Sequence, residues 1–230
     1  LKPVPSLVLG LLLCSGCGPG IFDGRPDAGT IEYALSFPDQ PANGIMSGML
    51  PERTTLVFNG HQQMAELSAA MGLFRTSMIM DARARTMNYQ LTLMGKRISA
   101  QLLPPDITDY FSEGGRPTIV HTNRVDTVAG YPCRHAVAIF PRVDHPEVDL
   151  WYTKEIAVEA PNWMNPFAEV DGVLLRYEMM HHGLRMRMDA ISVKPGKVDP
   201  ERFGVGADFQ QVSPAVLKHE MAEVLGSFRM

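Results

Sequence analysis

The chain has 230 residues, with 21 Lys and Arg against 25 Asp and Glu, a formal charge of −4 and a hydrophobic fraction of 45%. That length suits one domain with a sizeable core. A mildly acidic chain without a basic stripe gives no footing for nucleic acid as a partner.

Residues 1–16, LKPVPSLVLGLLLCSG, place Lys2 before an apolar run that ends at Leu13, then small residues and Cys17. This is the layout of a secretory signal, and the run is too short to span a bilayer stably. Cys14-Ser15-Gly16-Cys17 resembles a bacterial lipobox, in which a peptidase cuts before a Cys that then carries lipid; Cys14 departs from the usual Leu. The expectation is a signal peptide over 1–16 and acylation of Cys17, with an uncleaved apolar N-terminus as the alternative. Leu1 in place of Met leaves the completeness of the leader open. Removing 1–16 leaves 214 residues and takes away Lys2 but no acid, so the charge moves to −5. Residues 17–29, rich in Gly, Pro and Asp, read as a flexible tether. Gly18 is not the Asp that retains some lipoproteins in an inner membrane, so a lipid-anchored protein of the bacterial envelope, at the outer membrane and facing the periplasm, is expected.

Residues 30–230 read as a single β-rich domain. Segments 30–37 and 53–60 alternate as strands, the second ending in the turn signal Asn59-Gly60. Segment 61–72 is ambiguous. Met64, Leu67, Ser68 and Met71 make a helical stripe, yet the preceding turn signal argues for a paired strand. Further strands are expected over 73–81, 84–94 and 96–103, a helical turn over 106–111, two strands over 118–140 around Ala129-Gly130, and another over 148–156. Residues 161–172 form an irregular aromatic connection, and 198–212 a loop anchored by Phe203 and Phe209. A helix over 213–228 has Ser213 as N-cap and Pro214 in its first position. Its apolar stripe comprises Val216, Leu217, Met221, Val224, Leu225 and Phe228. Many short strands with few helices point to a mainly β fold, a curved antiparallel sheet or open half-barrel with a C-terminal helix.

The hairpin over 173–191 can be read in register. Val173, Leu175, Tyr177 and Met179 alternate with Leu174, Arg176, Glu178 and Met180; after His182-Gly183, Leu184, Met186, Met188 and Ala190 alternate with Arg185, Arg187, Asp189 and Ile191. A two-residue turn at 182–183 sets Met179 opposite Met186 and Tyr177 opposite Met188 on the apolar side. On the other side Glu178 faces Arg187 and Arg176 faces Asp189. Such opposite-charge pairs contribute roughly 0.2–1 kcal/mol each, and a one-residue slip puts charge into the core.

Val128-Ala129-Gly130-Tyr131-Pro132-Cys133-Arg134 and Leu150-Trp151-Tyr152-Thr153-Lys154-Glu155-Ile156 resemble the core of a family of bacterial envelope proteins known as domain of unknown function 4412. Residues 172–178 and 198–203 also resemble its pattern. The resemblance covers about 118–205, with weaker likeness back to Thr30. It implies a curved sheet similar to the lipoprotein carriers LolA and LolB, with a concave apolar face, and it carries no catalytic residues to transfer.

No HExxH, GxSxG, P-loop or GxGxxG pattern occurs, and His121 and His135 read as residues on strand faces, so no enzyme and no cofactor are expected. Cys133, in an apolar strand, reads as a buried thiol without a disulfide partner once Cys17 is acylated. The expected function is binding of a lipid or other apolar ligand on the concave face, with Trp151, Trp163, Phe167, Leu175, Tyr177, Met179, Met186 and Met188 as candidate lining residues. Met is suited to such a wall because it is flexible and polarisable. The alternatives are a scaffold for an unknown protein partner and a copper site among Met164, Met179, Met180, His181, His182, Met186 and Met188.

Overall fold

The computed structural model describes residues 24–40, 50–142, 146–181 and 183–227, the side chains of 225–227 excepted. Residues 1–16, Cys17, the first part of the expected tether, His182 and Phe228 lie outside the described residues. The strands are β1 (Ala28–Ser36), β2 (Arg53–Asn59), β3 (Gln62–Ala69), β4 (Phe74–Asp81), β5 (Thr86–Leu93), β6 (Lys96–Leu102), β7 (Thr118–Val128), β8 (Tyr131–Ile139), β9 (Glu147–Thr153), β10 (Val173–His181), β11 (Leu184–Pro195) and β12 (Gln210–Gln211). Helix α1 (Pro104–Tyr110) follows β6, and α2 (Pro214–Ser227) closes the described chain.

Among the described residues these strands form one sheet in the order β12-β6-β5-β4-β3-β2-β1-β11-β10-β9-β8-β7. Two meanders, β1 to β6 and β7 to β11, meet where β1 pairs antiparallel with β11. Only the two-residue β12 runs parallel to its neighbour, β6. The fold is mainly β, a large curved antiparallel sheet left open as a half-barrel with a C-terminal helix.

The β10–β11 register is the one the alternation predicts: Tyr177 lies opposite Met188, Met179 opposite Met186 and Arg176 opposite Asp189. The outer ion pairs differ in one respect. Arg176 Nε meets Asp189 at 2.7 Å, but Glu178 pairs diagonally with Arg185 at 2.7 Å, and Arg187 turns along its own strand to Asp189 at 3.0 Å. Diagonal neighbours are within reach of long side chains, so register does not dictate the partner.

The ambiguous segment is extended. β3 pairs with both β2 and β4, and only Ala70–Gly72, at φ 47, 54 and 87°, turn the chain between β3 and β4. Two ladders of backbone hydrogen bonds outweigh a weak helical preference. The structure also begins before the expected domain start. β1 starts at Ala28, Gly60 N–H donates to Asp27 O, Ala157 N–H donates to Pro26 O, and Arg25 donates to Lys154 O at 2.8 Å. β9 ends at Thr153 rather than 156. On α2, Ser213 Oγ accepts from Val216 N–H as an N-cap. Leu217 and Met221 are buried in the core with Val224 packed beside them, whereas Val216 is exposed.

The largest apolar cluster joins β4, β5, β6, α1 and α2 through Phe74, Met87, Tyr89, Leu91, Ile107 and Leu217. A second surrounds Ile31, Tyr33, Phe58, Cys133 and Leu175, and a third holds Leu150, Tyr152, Phe167 and Leu174. Gly183 in the hairpin turn has φ +69°, a conformation costing a β-branched residue about 1–3 kcal/mol. Gly183→Val should lower stability by that amount in urea unfolding while leaving the far-ultraviolet circular dichroism of the native state unchanged.

Candidate ligand-binding cleft

The inner face of the half-barrel encloses two adjoining apolar cavities. The larger, about 170 Å³, lies between the meanders. Tyr33, Leu35, Leu56, Ala65 and Met78 come from the first meander, and Tyr177, Met179, Met186 and Met188 from the second. Tyr110, Phe111 and Met221 close it from α1, the residue after α1, and α2. The second, about 100 Å³, shares Tyr33, Leu56, Ala65, Met78, Phe111, Tyr177 and Met179 with it and reaches Asn162, Met164 and Phe167. A cavity of roughly 150 Å³ holds a benzene-sized ligand. The pair therefore takes a short run of methylenes without rearrangement, and a longer chain requires flexible Met side chains to shift.

The polar atoms of these walls are mostly turned inward onto protein partners. Tyr33 Oη donates to Leu174 O at 2.8 Å, and Tyr89 Oη lies 3.6 Å from Met221 Sδ. Tyr33 and Tyr177 meet edge to face at 6.2 Å, and the His181 ring stacks near Tyr110 at 4.6 Å. Burial pushes the phenols of Tyr33, Tyr89, Tyr110 and Tyr177 above the ordinary tyrosine value, so these hydroxyls stay protonated.

The candidate lining residues separate into three groups. Tyr177, Met179, Met186 and Met188 share the larger cavity, and Phe167, Tyr177 and Met179 line the smaller. Trp163 instead stands in an outer groove of about 500 Å³ with Arg85, Phe111, Met164 and three flanking loops. Leu175 and Trp151 line neither cavity. The β9–β10 pairing slips between Leu174 and Arg176, and such a bulge re-aims the side chains beyond it. Leu174, not Leu175, lines the smaller cavity, although Tyr177 and Met179 pack against the clusters of both. Trp151 lies opposite His135 and under Arg124, at 4.6 and 5.0 Å between ring centroids and from guanidinium to ring.

His135 is 1% exposed and centres a polar relay in this outer cluster. Its Nδ1 lies 2.8 Å from Thr122 Oγ1 and its Nε2 2.6 Å from Asp149 Oδ1. Hydroxyl, imidazole and carboxylate in series could move a proton, but Trp151 and Arg124 cover the ring, and none of the cavities described here reaches it. The alternation of the hairpin located four lining residues. Leu56, Ala65, Met78, Phe111 and Met221 escaped the sequence reading, although Ala65 and Met78 are directly paired across β3 and β4. One turn of the same region exposes apolar side chains: Ala69 and Phe74 line the larger cavity, while Met71 and Leu73 between them face solvent beside exposed Met94.

Fold and cleft together define a class, a curved antiparallel sheet folded around an apolar cavity. No family model and no curated protein sequence matches the chain. Among solved structures, PNGF-II is similar at a TM-score of 0.54 and 15% identity, over 85% of this chain and 32% of that one. The chain thus spans about a third of PNGF-II. A β-barrel-like protein of domain of unknown function 1849 from Brucella abortus aligns at TM-score 0.36 and 9% identity, over 75% of this chain and 99% of that one. A LolA superfamily protein from Nitrosomonas europaea aligns at TM-score 0.35 and 12% identity, over 78% and 91%. At 15% identity the likeness to PNGF-II concerns the fold alone.

Cys133 is 2% exposed, and burial pushes its thiol up to about 11 from 9.0. The folded chain therefore keeps a proton between pH 9 and 11 that the unfolded chain releases, so stability falls as pH rises through that window, by at most about 3 kcal/mol from this group. Cys133→Ala should flatten the decline in denaturant midpoint over pH 9–11. In the native protein the thiol should resist thiol-reactive dyes at pH 8 until denaturant is added.

Proposed function

We propose that the protein is a non-enzymatic, lipid-anchored envelope protein that holds an apolar ligand, an acyl chain foremost, in the cleft of its curved sheet. The observation that carries this reading is the pair of adjoining cavities walled largely by Met, Leu and aromatic side chains from both meanders. Each methylene buried there contributes roughly 0.8 kcal/mol, so six give about 5 kcal/mol without any polar motif. Flexible Met179, Met186 and Met188 let the wall adapt to chains of different length. The lipobox-like Cys14–Cys17 supports the anchor on Cys17 and a periplasm-facing outer-membrane location. The paired motifs at 128–134 and 150–156 support membership of domain of unknown function 4412.

One observation favours a second reading. Met78, Met179, Met186, Met188 and Met221 line the same cavity as His181, and thioethers with imidazole suit copper(I).

Native mass spectrometry of the exported full chain carrying Cys17→Ser, purified without detergent, separates these. A dissociable lipid increment is expected. A copper-sized increment would transfer the assignment to the Met and His wall. A bare mass that lipid extract and copper both leave unchanged would sink both and favour a protein scaffold. Ala65→Phe, at a residue lining both cavities, should weaken chain binding at least tenfold while preserving the native circular dichroism spectrum.

A further inference from the structure

We propose that the ligand of the cleft carries an anionic headgroup, a phosphate or carboxylate, held by Arg85, Arg116 and Arg142 in the outer groove. The inference rests on the reading of the cleft as an acyl-chain site and names the class of amphiphile it takes.

Among the described residues, three guanidinium groups line this groove against a single carboxylate, Glu169. Arg116 is paired with Glu169 at 2.7 Å, both groups being exposed. Arg85 and Arg142 have no carboxylate partner among the described residues. Arg85 lies over the Trp163 ring at 5.3 Å. Arg142 rests on the 112–115 loop, where its Nη2 donates to Ser112 O at 3.3 Å, and a Cβ on Gly115 would meet its guanidinium at 3.0 Å. Both arginines are thus positioned by contacts that leave donors unused. A local excess of positive charge stands out in a chain of net charge −4. Planar guanidinium forks match phosphate and carboxylate oxygens in pairs.

The groove also connects to the cleft. Phe111 lines the groove and both cavities, and Met164 and Asn165 line the groove and the smaller cavity. A headgroup among the arginines therefore places the start of its chain against Phe111 and Met164, pointing inward. Phe111 is the side chain that has to turn aside to admit it. The exposed rim of Arg and the apolar interior together match an amphiphile with one charged end.

The test compares lysophosphatidic acid with the monoacylglycerol of the same chain, and with inorganic phosphate alone, on the full chain carrying Cys17→Ser. The phospholipid should bind at least tenfold more tightly than its uncharged counterpart. Combined replacement Arg85→Gln, Arg116→Gln and Arg142→Gln should erase that difference, leave monoacylglycerol affinity unchanged, and keep the thermal midpoint close to that of the parent. Equal binding of the two lipids by the parent, or a preference that survives the triple replacement, would overturn the headgroup assignment while the cleft reading stands. Binding of neither lipid would remove the cleft reading itself. Binding of inorganic phosphate to the parent, lost in the triple replacement, with the two lipids bound equally would identify a free-anion site instead and overturn the headgroup assignment.

Discussion

The pairing of β10 with β11 decides what the cleft is made of. In the observed register Tyr177, Met179, Met186 and Met188 face inward, and Arg176, Glu178, Arg185 and Asp189 form their ion pairs on the other side. A shift of β10 by one residue would turn its own side chains over and leave those of β11 in place. Arginine and glutamate would enter an apolar space with no partner there, at a cost of several kcal/mol per group. The individual outer pairs, half-exposed, add little stability. Their contribution is to make the slipped register still worse, so the polar face specifies the apolar one.

That register was legible because β10 and β11 alternate strictly after the bulge, with no glycine or proline inside the run and a turn residue suited to positive φ at Gly183. The limits of legibility have equally local causes. β9 buries Leu150, Trp151 and Tyr152 in succession, so it offers no alternation from which to tell the face of Trp151. The displacement of Leu175 by Leu174 is a property of two strands, since a bulge exists only relative to its partner. In β3, Met64 and Leu67 fit a helical spacing, and only the ladders to β2 and β4 reveal an extended chain. Arg85, Arg116 and Arg142 come from three separate loops, and Phe111 from the end of α1. No short-range pattern joins them.

Both surfaces of the second meander are protected in different ways. Inside, Leu150, Tyr152 and Phe167 pack as hydrocarbon. Outside, Trp151 is covered by Arg124 and fixed beside His135, whose two ring nitrogens are engaged by Thr122 and Asp149. A buried imidazole without such partners would carry a desolvation penalty. Asn162 does comparable work in the aromatic connection, donating to Val170 O and Gly172 O at 2.8 Å each, which holds Phe167 in place at the inner cavity.

The ladder between β1 and β11 joins residues from opposite ends of the chain, Gly29 with Pro195 and Ser36 with Arg187. Each meander is built from neighbouring hairpins and can form locally, whereas closing this seam requires nearly the whole polypeptide and carries the slowest entropy loss. Tyr33 and Leu35 stand on one side of the seam, Met186 and Met188 on the other. The cavity therefore exists only where this seam is closed. A molecule that fills it binds the closed seam and not the separate halves, and draws the equilibrium toward closure by mass action. A molecule seated there as the seam closes would act as the last structural element to be added.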